Sequence, residues 1–173
     1  MRALLILAMA SGFLASAQET VIRWDGSHEN SGSYLYNGFE YKLIKHEAAG
    51  ISLLLGFASK NKIGCPGPGI NCTSFLSIIE NDGSVAFDLR PESFECLCEG
   101  KKAKRLDHYV FPRYLQGKAS SSLVILLANT LFPGDKKQGE FFFRGKCADY
   151  VLRVHIKGER QQFVFEFPFS GER

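Results

Sequence analysis

The five cysteines are the residues whose chemistry the spacing defines best. They are Cys65, Cys72, Cys96, Cys98 and Cys147. No pair has the C-x-x-C spacing of a zinc or redox motif and no histidine stands at ligand spacing, so disulfides are favoured over a metal site. Because five is an odd number, we expect one free thiol or a disulfide-linked dimer through the odd cysteine.

The positions of the cysteines favour some pairings over others. Cys65 and Cys72 enclose a loop rich in proline and glycine, which a local bridge could close. Cys96 and Cys98 fall on one face of an extended strand, so each reaches a neighbouring strand more easily than the other cysteine. Cys147 is the natural long-range partner. Several connectivities satisfy these constraints, and each leaves a different cysteine unpaired.

One tripeptide matches a modification signal. Asn71, Cys72 and Thr73 form the N-x-[ST] acceptor pattern for N-glycosylation, with Asn71 as the acceptor. A disulfide at Cys72 would compete with sugar transfer. If Asn71 is glycosylated, its loop must face the solvent.

A basic run is one candidate binding segment. It contains Lys101, Lys102, Lys104 and Arg105. Such a run could bind a sulfated glycan or another anionic surface, or serve as a dibasic processing site. The simpler interpretation is a solvated loop between strands.

An aromatic N-terminal segment is the second candidate. Trp24, Tyr34, Tyr36 and Tyr41 lie close together in sequence. If their rings are exposed, they would form a platform for a sugar or a protein partner. If the strand is central, alternate rings belong to the core.

Catalytic and cofactor motifs are not found in the sequence. It has no G-x-S-x-G, H-E-x-x-H or C-x-x-C pattern. We interpret His28 and His46 as residues of polar turns and His155 as an outward-facing strand residue. We therefore expect no enzyme, no metal site and no cofactor, although a site assembled from distant strands is recognised only by its geometry.

The elements that position these residues are predicted to be β-strands. Leu152, Val154 and Ile156 alternate with polar residues, and a turn follows. Four phenylalanines then alternate along the last strand, at Phe163, Phe165, Phe167 and Phe169, which predicts a hairpin with these rings in the core. The charged residues that alternate with these apolar ones should face water or a second layer, and Pro168 should lie at a sheet end or edge.

Further strands are predicted along the rest of the chain. A hairpin is expected from 75–79 and 85–89 around Asn81-Asp82-Gly83. Other strands are expected at 21–24, 33–44, 51–58, 94–98, 109–114, 123–128 and 140–143, with weak helical character at 112–121. This spacing predicts an all-β fold, an antiparallel β-sandwich of jelly-roll-like type, with a closed β-barrel as the alternative.

The N-terminal segment predicts the compartment. Residues 1–17 combine one positive charge, a short apolar run and an A-x-A site, which is the pattern of a secretory signal peptide. Residues 18–173 have the size of one domain. We therefore expect a single secreted, extracellular β domain without membrane insertion, since no later apolar run is long enough.

Composition excludes some functions and leaves three open. The formal net charge is only +3, which does not favour nucleic-acid binding. Our first hypothesis is a non-enzymatic secreted protein that binds an extracellular protein or glycan through loops or exposed aromatic residues. The alternatives are a barrel-type carrier of a small apolar ligand and a secreted hydrolase with an unrecognised site.

Overall fold

The chain is described by a computed structural model covering residues 18–26, 30–48, 51–59, 71–106, 129–157 and 161–171. Several sequence predictions lie outside these ranges. They are the signal peptide at 1–17, the polar turn at His28, Cys65, the strands at 109–114 and 123–128 and the helical character at 112–121.

Most of the described residues lie in twelve β-strands. Their bounds are β1 Gln18–Arg23, β2 Ser31–Tyr36, β3 Phe39–Ala48, β4 Ile51–Ser59, β5 Cys72–Asn81, β6 Phe87–Leu89, β7 Phe94–Cys98, β8 Lys101–Lys102, β9 Asn129–Leu131, β10 Lys136–Arg144, β11 Asp149–Lys157 and β12 Gln161–Ser170. A 3₁₀ turn at Pro91–Ser93 leads into β7. Within the described ranges, no helix has the length and apolar character needed to cross a membrane.

The strands form two five-stranded sheets and one small two-stranded sheet. Sheet 1 has the order β1-β12-β11-β7-β8, sheet 2 has the order β10-β5-β4-β3-β2, and β6 pairs with β9. The predicted all-β, sandwich-like fold is confirmed, and the described strands do not close into a barrel. Two details differ from the prediction. β1 pairs with β12 in parallel, and β2 to β5 form a consecutive meander rather than a jelly-roll order.

The β11–β12 hairpin has the predicted alternation, and its four phenylalanines are all buried. The charged residues were expected to face water or a second layer; Glu166 lies on the outer face but is buried, as is Val164. The reason is that β12 lies between β1 and β11, and that Arg23 and Arg153 both contact Glu166.

Pro168 occupies the end position expected for a proline in a sheet. β1 pairs with β12 only as far as Glu166, whose carbonyl accepts the N–H of Trp24. Pro168 therefore lies beyond the end of β1, where its missing N–H interrupts no ladder. Its carbonyl accepts a hydrogen bond from the Lys42 side chain instead.

The core is a layer of aromatic rings between the two sheets. Phe57 of β4 meets Phe167 of β12 with centroids 4.8 Å apart. Phe94 of β7 meets Phe141 of β10 at 4.9 Å. Each buried ring removes about 150–250 Å² from water, which favours folding by several kcal/mol before entropy is counted. These rings interdigitate across the sandwich and so hold the sheets face to face.

The predicted hairpin around Asn81 is wrong. β5 pairs with β4 and β10, whereas β6 leaves sheet 2 and pairs with β9. The buried Asn81 side chain donates to the carbonyls of Val85 at 2.8 Å and Leu131 at 3.0 Å, and it accepts the N–H of Gly83 at 3.0 Å. This side chain directs the chain out of the sheet after the turn.

Candidate functional site

The β2–β3 hairpin is the most distinctive surface of sheet 2. Its two strands are joined by Asn37 and Gly38, whose φ angles of 50° and 78° fit a two-residue type I′ turn. The predicted single strand over 33–44 is therefore wrong. The Asn-Gly pair, a strong hairpin signal in its own right, divides this segment in two.

Three consecutive large side chains near the end of β2 are exposed. Tyr34 is 52% exposed, Leu35 71% and Tyr36 41%. Tyr34 and Tyr36 share one face of the strand, where their rings stack with centroids 6.2 Å apart. Leu35 projects from the other face. Clustered exposed apolar side chains of this size indicate an interaction surface.

Tyr41, the third tyrosine of the predicted platform, is not exposed. It lies directly opposite Tyr34 in the β2–β3 register and meets Tyr36 edge to face, with centroids 6.4 Å apart. Only 5% of Tyr41 is exposed. Burial raises the pKa of Tyr41, and the charges of Tyr36 and Glu140 raise it further. Tyr41 is thus a buried residue against which Tyr34 and Tyr36 lie.

Trp24 is likewise a supporting residue, because it is half-buried against the core. Its indole Nε1 donates to the carbonyl of Gly32 at 2.9 Å, which ties the end of β1 to β2. Lys42 places its Nζ 3.9 Å from the centroid of the indole and 5.1 Å from that of Phe169. Burial lowers the pKa of Lys42, against an opposing effect of Glu40. This cation–π contact covers a face of the Trp24 ring that the platform hypothesis had assigned to a binding partner.

β2 is an edge strand among the described residues, so part of its backbone has no described strand as a neighbour. No described strand lies beyond β2 in sheet 2. The N–H of Lys45 donates to the carbonyl of Asn30 at 2.8 Å, so these two form a hydrogen-bonded pair. Since bonded and non-bonded pairs alternate along an antiparallel ladder, the N–H and C=O groups of Ser33 and Leu35 point away from β3. β2 therefore presents strand-pairing groups on its open side.

The other sheet edges have features that protect them from pairing. β8 consists of two lysines, and β1 carries Glu19 and Arg23. β10 bonds with the segment 104–106, since the N–H of Arg144 donates to the carbonyl of Lys104 at 2.7 Å. Charge and cover are the usual protection of an edge strand. Residues 31–38, by contrast, contain no charged side chain.

The basic run does not form one compact patch. Lys101 and Lys102 make up β8 and are exposed, and Lys104 is exposed beyond it. Lys102 forms an ion pair with Glu95 at 2.9 Å. Arg105 is half-buried, with its guanidinium 5.9 Å from the ring centroid of Phe94. Arg105 is thus drawn toward the core, and the lysines remain at the edge of sheet 1.

The cysteines are arranged largely as their spacing suggests. Cys98 forms a disulfide with Cys147 across a sequence separation of 49 residues. Cys72 is also disulfide-bonded. Cys96 is a free thiol buried in the core, and burial raises its pKa to about 12, with a further contribution from the charge of Glu95. Cys96 is thus the odd cysteine among those described.

Asn71 meets the solvent condition for glycosylation, because it is exposed immediately before β5. Its carbonyl accepts the N–H of Gly145 at 2.9 Å. Thr73 of the same tripeptide is buried and donates to the carbonyl of Gly145 at 3.0 Å. Glycosylation of Asn71 remains a prediction.

Two histidines lie within the described residues. His46 is not in a turn, as its sequence context suggested, but on the inner face of β3, with ring centroids 4.9 Å from Phe163 and 5.6 Å from Phe165. Its Nε2 is buried without a hydrogen-bond partner, and burial lowers the pKa of His46. His155 faces outward as predicted and lies 3.5 Å from Glu95.

An open cleft of about 810 Å³ lies beside His155. Asp88, Arg90, Thr130 and Lys157 contribute to its wall. The Thr130 hydroxyl donates a hydrogen bond to the Asp88 carboxylate at 2.9 Å, and the Arg90 guanidinium lies 3.6 Å from the same carboxylate. Within the described ranges, no three His, Cys, Asp or Glu side chains converge as metal ligands would.

Comparison with known proteins gives no family. No family model matches the chain, and no curated protein matches it. The putative lipoprotein ycdA of Bacillus subtilis subsp. subtilis str. 168 is similar in structure at a TM-score of 0.46, with 12% identity over 70% of this chain. This chain spans only 37% of that one. The yjhA protein of Bacillus subtilis is similar at a TM-score of 0.41, with 11% identity over 78% of this chain and 95% of the other.

Proposed function

We propose that this chain is a secreted, non-enzymatic binding protein that recognises an extended segment of an extracellular protein by adding it as a strand beside β2. The observation that carries the proposal is the combination found on β2. Its outward backbone groups belong to an uncharged edge strand, and that strand also exposes Tyr34, Leu35 and Tyr36. Strand addition uses both features, because main-chain bonds supply affinity and alternate side chains supply specificity.

The arrangement favours a protein partner over a glycan. A sugar would stack on Tyr34 and Tyr36 alone and would leave Leu35 unused. A strand placed beside β2 has side chains on both faces, so its residues would contact the tyrosines on one face and Leu35 on the other. Leu35 is the most exposed of the three side chains, at 71%. Of the two modes of binding, only strand addition gives this side chain a contact.

Secretion is supported by two independent features. The pattern of residues 1–17 is that of a signal peptide. The Cys98–Cys147 disulfide is of a kind that persists in oxidising compartments and is rare in the cytosol. The partner is therefore expected to be an extracellular protein.

The proposal can be tested by selecting linear peptides from a display library on the immobilised protein and measuring their affinity for two variants. Ser33→Pro removes one outward N–H of β2, yet it retains Tyr34, Leu35 and Tyr36. Ser33→Ala is the matched control, because it changes the same exposed position and keeps the N–H. We expect Ser33→Pro to weaken peptide binding by about tenfold or more, and Ser33→Ala to bind like the wild type.

A glycan array probed with the wild type, Ser33→Pro, Tyr34→Ala and Tyr36→Ala separates the two partner classes. Saturable glycan capture that is lost in Tyr34→Ala and Tyr36→Ala but unaffected by Ser33→Pro would replace strand addition by sugar stacking. Equal peptide affinity of Ser33→Pro and Ser33→Ala would also overturn the proposal.

A further inference from the structure

A row of charged side chains of alternating sign crosses the outer face of sheet 1. In strand order the row consists of Arg23, Glu166, Arg153, Glu95 and Lys102, one residue from each of the five strands. We refer to these five residues as the charged row. The row lies in sheet 1 and is therefore independent of the β2 surface in sheet 2.

Adjacent members of the charged row are in contact. Arg153 donates a hydrogen bond from Nε to Oε1 of Glu166 at 2.8 Å, and its Nη2 lies 2.7 Å from the same oxygen. Arg23 lies 3.6 Å from the same carboxylate on its other side. Glu95 is 2.9 Å from Lys102 and 4.0 Å from Arg153. Each carboxylate is therefore flanked by two cations from neighbouring strands.

The acids of the row are less exposed than the bases. The side chains of Glu166 and Glu95 are 12% and 17% exposed. Those of Arg23, Arg153 and Lys102 are 64%, 36% and 72% exposed. A molecule that approaches this face thus meets the cations first, while the carboxylates hold the cations in position from beneath.

We propose that the charged row binds a sulfated polysaccharide. Strands are about 4.8 Å apart and the three cations come from every second strand, so they are spaced at roughly 10 Å across the sheet, with Lys102 offset along the strands to the position opposite Leu97. Such spacing suits an extended polymer that carries anionic groups at intervals. Guanidinium groups pair well with the planar array of oxygens on a sulfate or phosphate, and secretion makes sulfated glycans the accessible class. The exposed Lys157 on β11 adds positive charge beside the row.

The test is retention of the protein on immobilised heparin at increasing salt concentration. Arg23→Gln combined with Lys102→Gln removes the two most exposed cations of the row. We expect affinity for heparin to fall by about tenfold or more and the salt dependence to become shallower. The control is Lys45→Gln combined with Lys136→Gln, which removes the same charge from exposed ion pairs in sheet 2 and should cause a much smaller change.

A second variant gives an effect of opposite sign. Glu95→Gln removes a carboxylate beneath Lys102 and Arg153, so heparin affinity should rise by several-fold even though an ion pair is lost. Its control is Glu47→Gln, which changes the charge equally next to Lys45 in sheet 2. A purely structural role for the row would lower stability in Glu95→Gln without raising heparin affinity.

Three results would overturn the inference. They are wild-type protein that is not retained at physiological salt, row variants that change retention no more than their charge-matched controls, and competition by desulfated heparin or duplex DNA as effective as that by heparin. None of these outcomes depends on the peptide affinity of β2, so the two proposals succeed or fail separately.

Discussion

Replacing Cys98 and Cys147 by serine should have the largest effect on stability of any change outside the aromatic core. The disulfide joins the end of β7 to the segment that enters β11, and these two strands are neighbours in sheet 1. It closes a loop between residues 49 positions apart. The loop-entropy relation for the unfolded chain gives a loss of about 4 kcal/mol for a loop of this length.

The assay is equilibrium unfolding in urea. Trp24 is the only tryptophan and is half-buried against the core, so its fluorescence reports unfolding of the sandwich. The predicted loss corresponds to a fall of about 8–16 °C in the midpoint of thermal unfolding. A Cys98→Ala, Cys147→Ala variant is the control, because it removes the bond without adding polar hydroxyl groups.

A loss below about 1 kcal/mol in both double variants would refute this reasoning. It would show that the β7–β11 ladder holds these ends together in the absence of the bond. It would also weaken the use of this disulfide as support for an oxidising compartment.

Four further predictions concern the core, the ion pairs and the buried titratable groups. Phe57→Ala should reduce the free energy of unfolding by about 3–5 kcal/mol in urea titrations, and a loss under about 1 kcal/mol would contradict its central position. Glu166→Gln should cost about 2 kcal/mol, because it removes the carboxylate that Arg23 and Arg153 both contact, whereas Glu47→Gln, in an exposed pair, should leave the unfolding midpoint nearly unchanged. Burial lowers the pKa of His46 in the folded state below its ordinary value of 6.5, so the fold is favoured above pH 6.5 and this contribution is lost as the pH falls toward the folded-state pKa. His46→Phe should therefore lose less thermal stability than the wild type between about pH 7 and pH 5. Cys96 should react with a thiol reagent only after denaturation, and rapid labelling of the native protein would contradict its burial.

Local alternation predicted much of the core. The period of two along β11 and β12 identifies Leu152 and Val154 as buried, and it places all four phenylalanines of β12 on the inner face. Strand geometry also predicted that the cysteines of β7 pair with a neighbouring strand rather than with each other, but it left Cys96 and Cys98 as alternatives, and the structure pairs Cys98 with Cys147.

Contacts between residues distant in sequence could not be predicted from local alternation. Glu166 lies on the outer face, as expected of a charged residue, but Arg23 and Arg153 from two other strands cover it. Tyr41 was predicted as a possible exposed ring, but it pairs with Tyr34 of β2. The buried side chain of Asn81 redirects β6, although the residues around it have a good hairpin pattern.

The candidate site was predicted in part. Tyr34 and Tyr36 are exposed, as the platform hypothesis requires, and Trp24 is not free because Lys42 covers its ring. Leu35 was overlooked because it lies between the two tyrosines on the opposite face. The Asn37-Gly38 turn was the available signal, since it fixes the hairpin register and with it the outward direction of the Leu35 backbone.

The central claim is that a partner strand pairs with the open edge of β2, and amide hydrogen exchange tests it most directly. The measurement compares the free protein with the protein saturated by a peptide selected on it. The account predicts that the amides of Ser33 and Leu35 become strongly protected on binding, while the amides of β8 and β1 are unchanged. Full occupancy by the peptide with no gain of protection at Ser33 and Leu35 would contradict it.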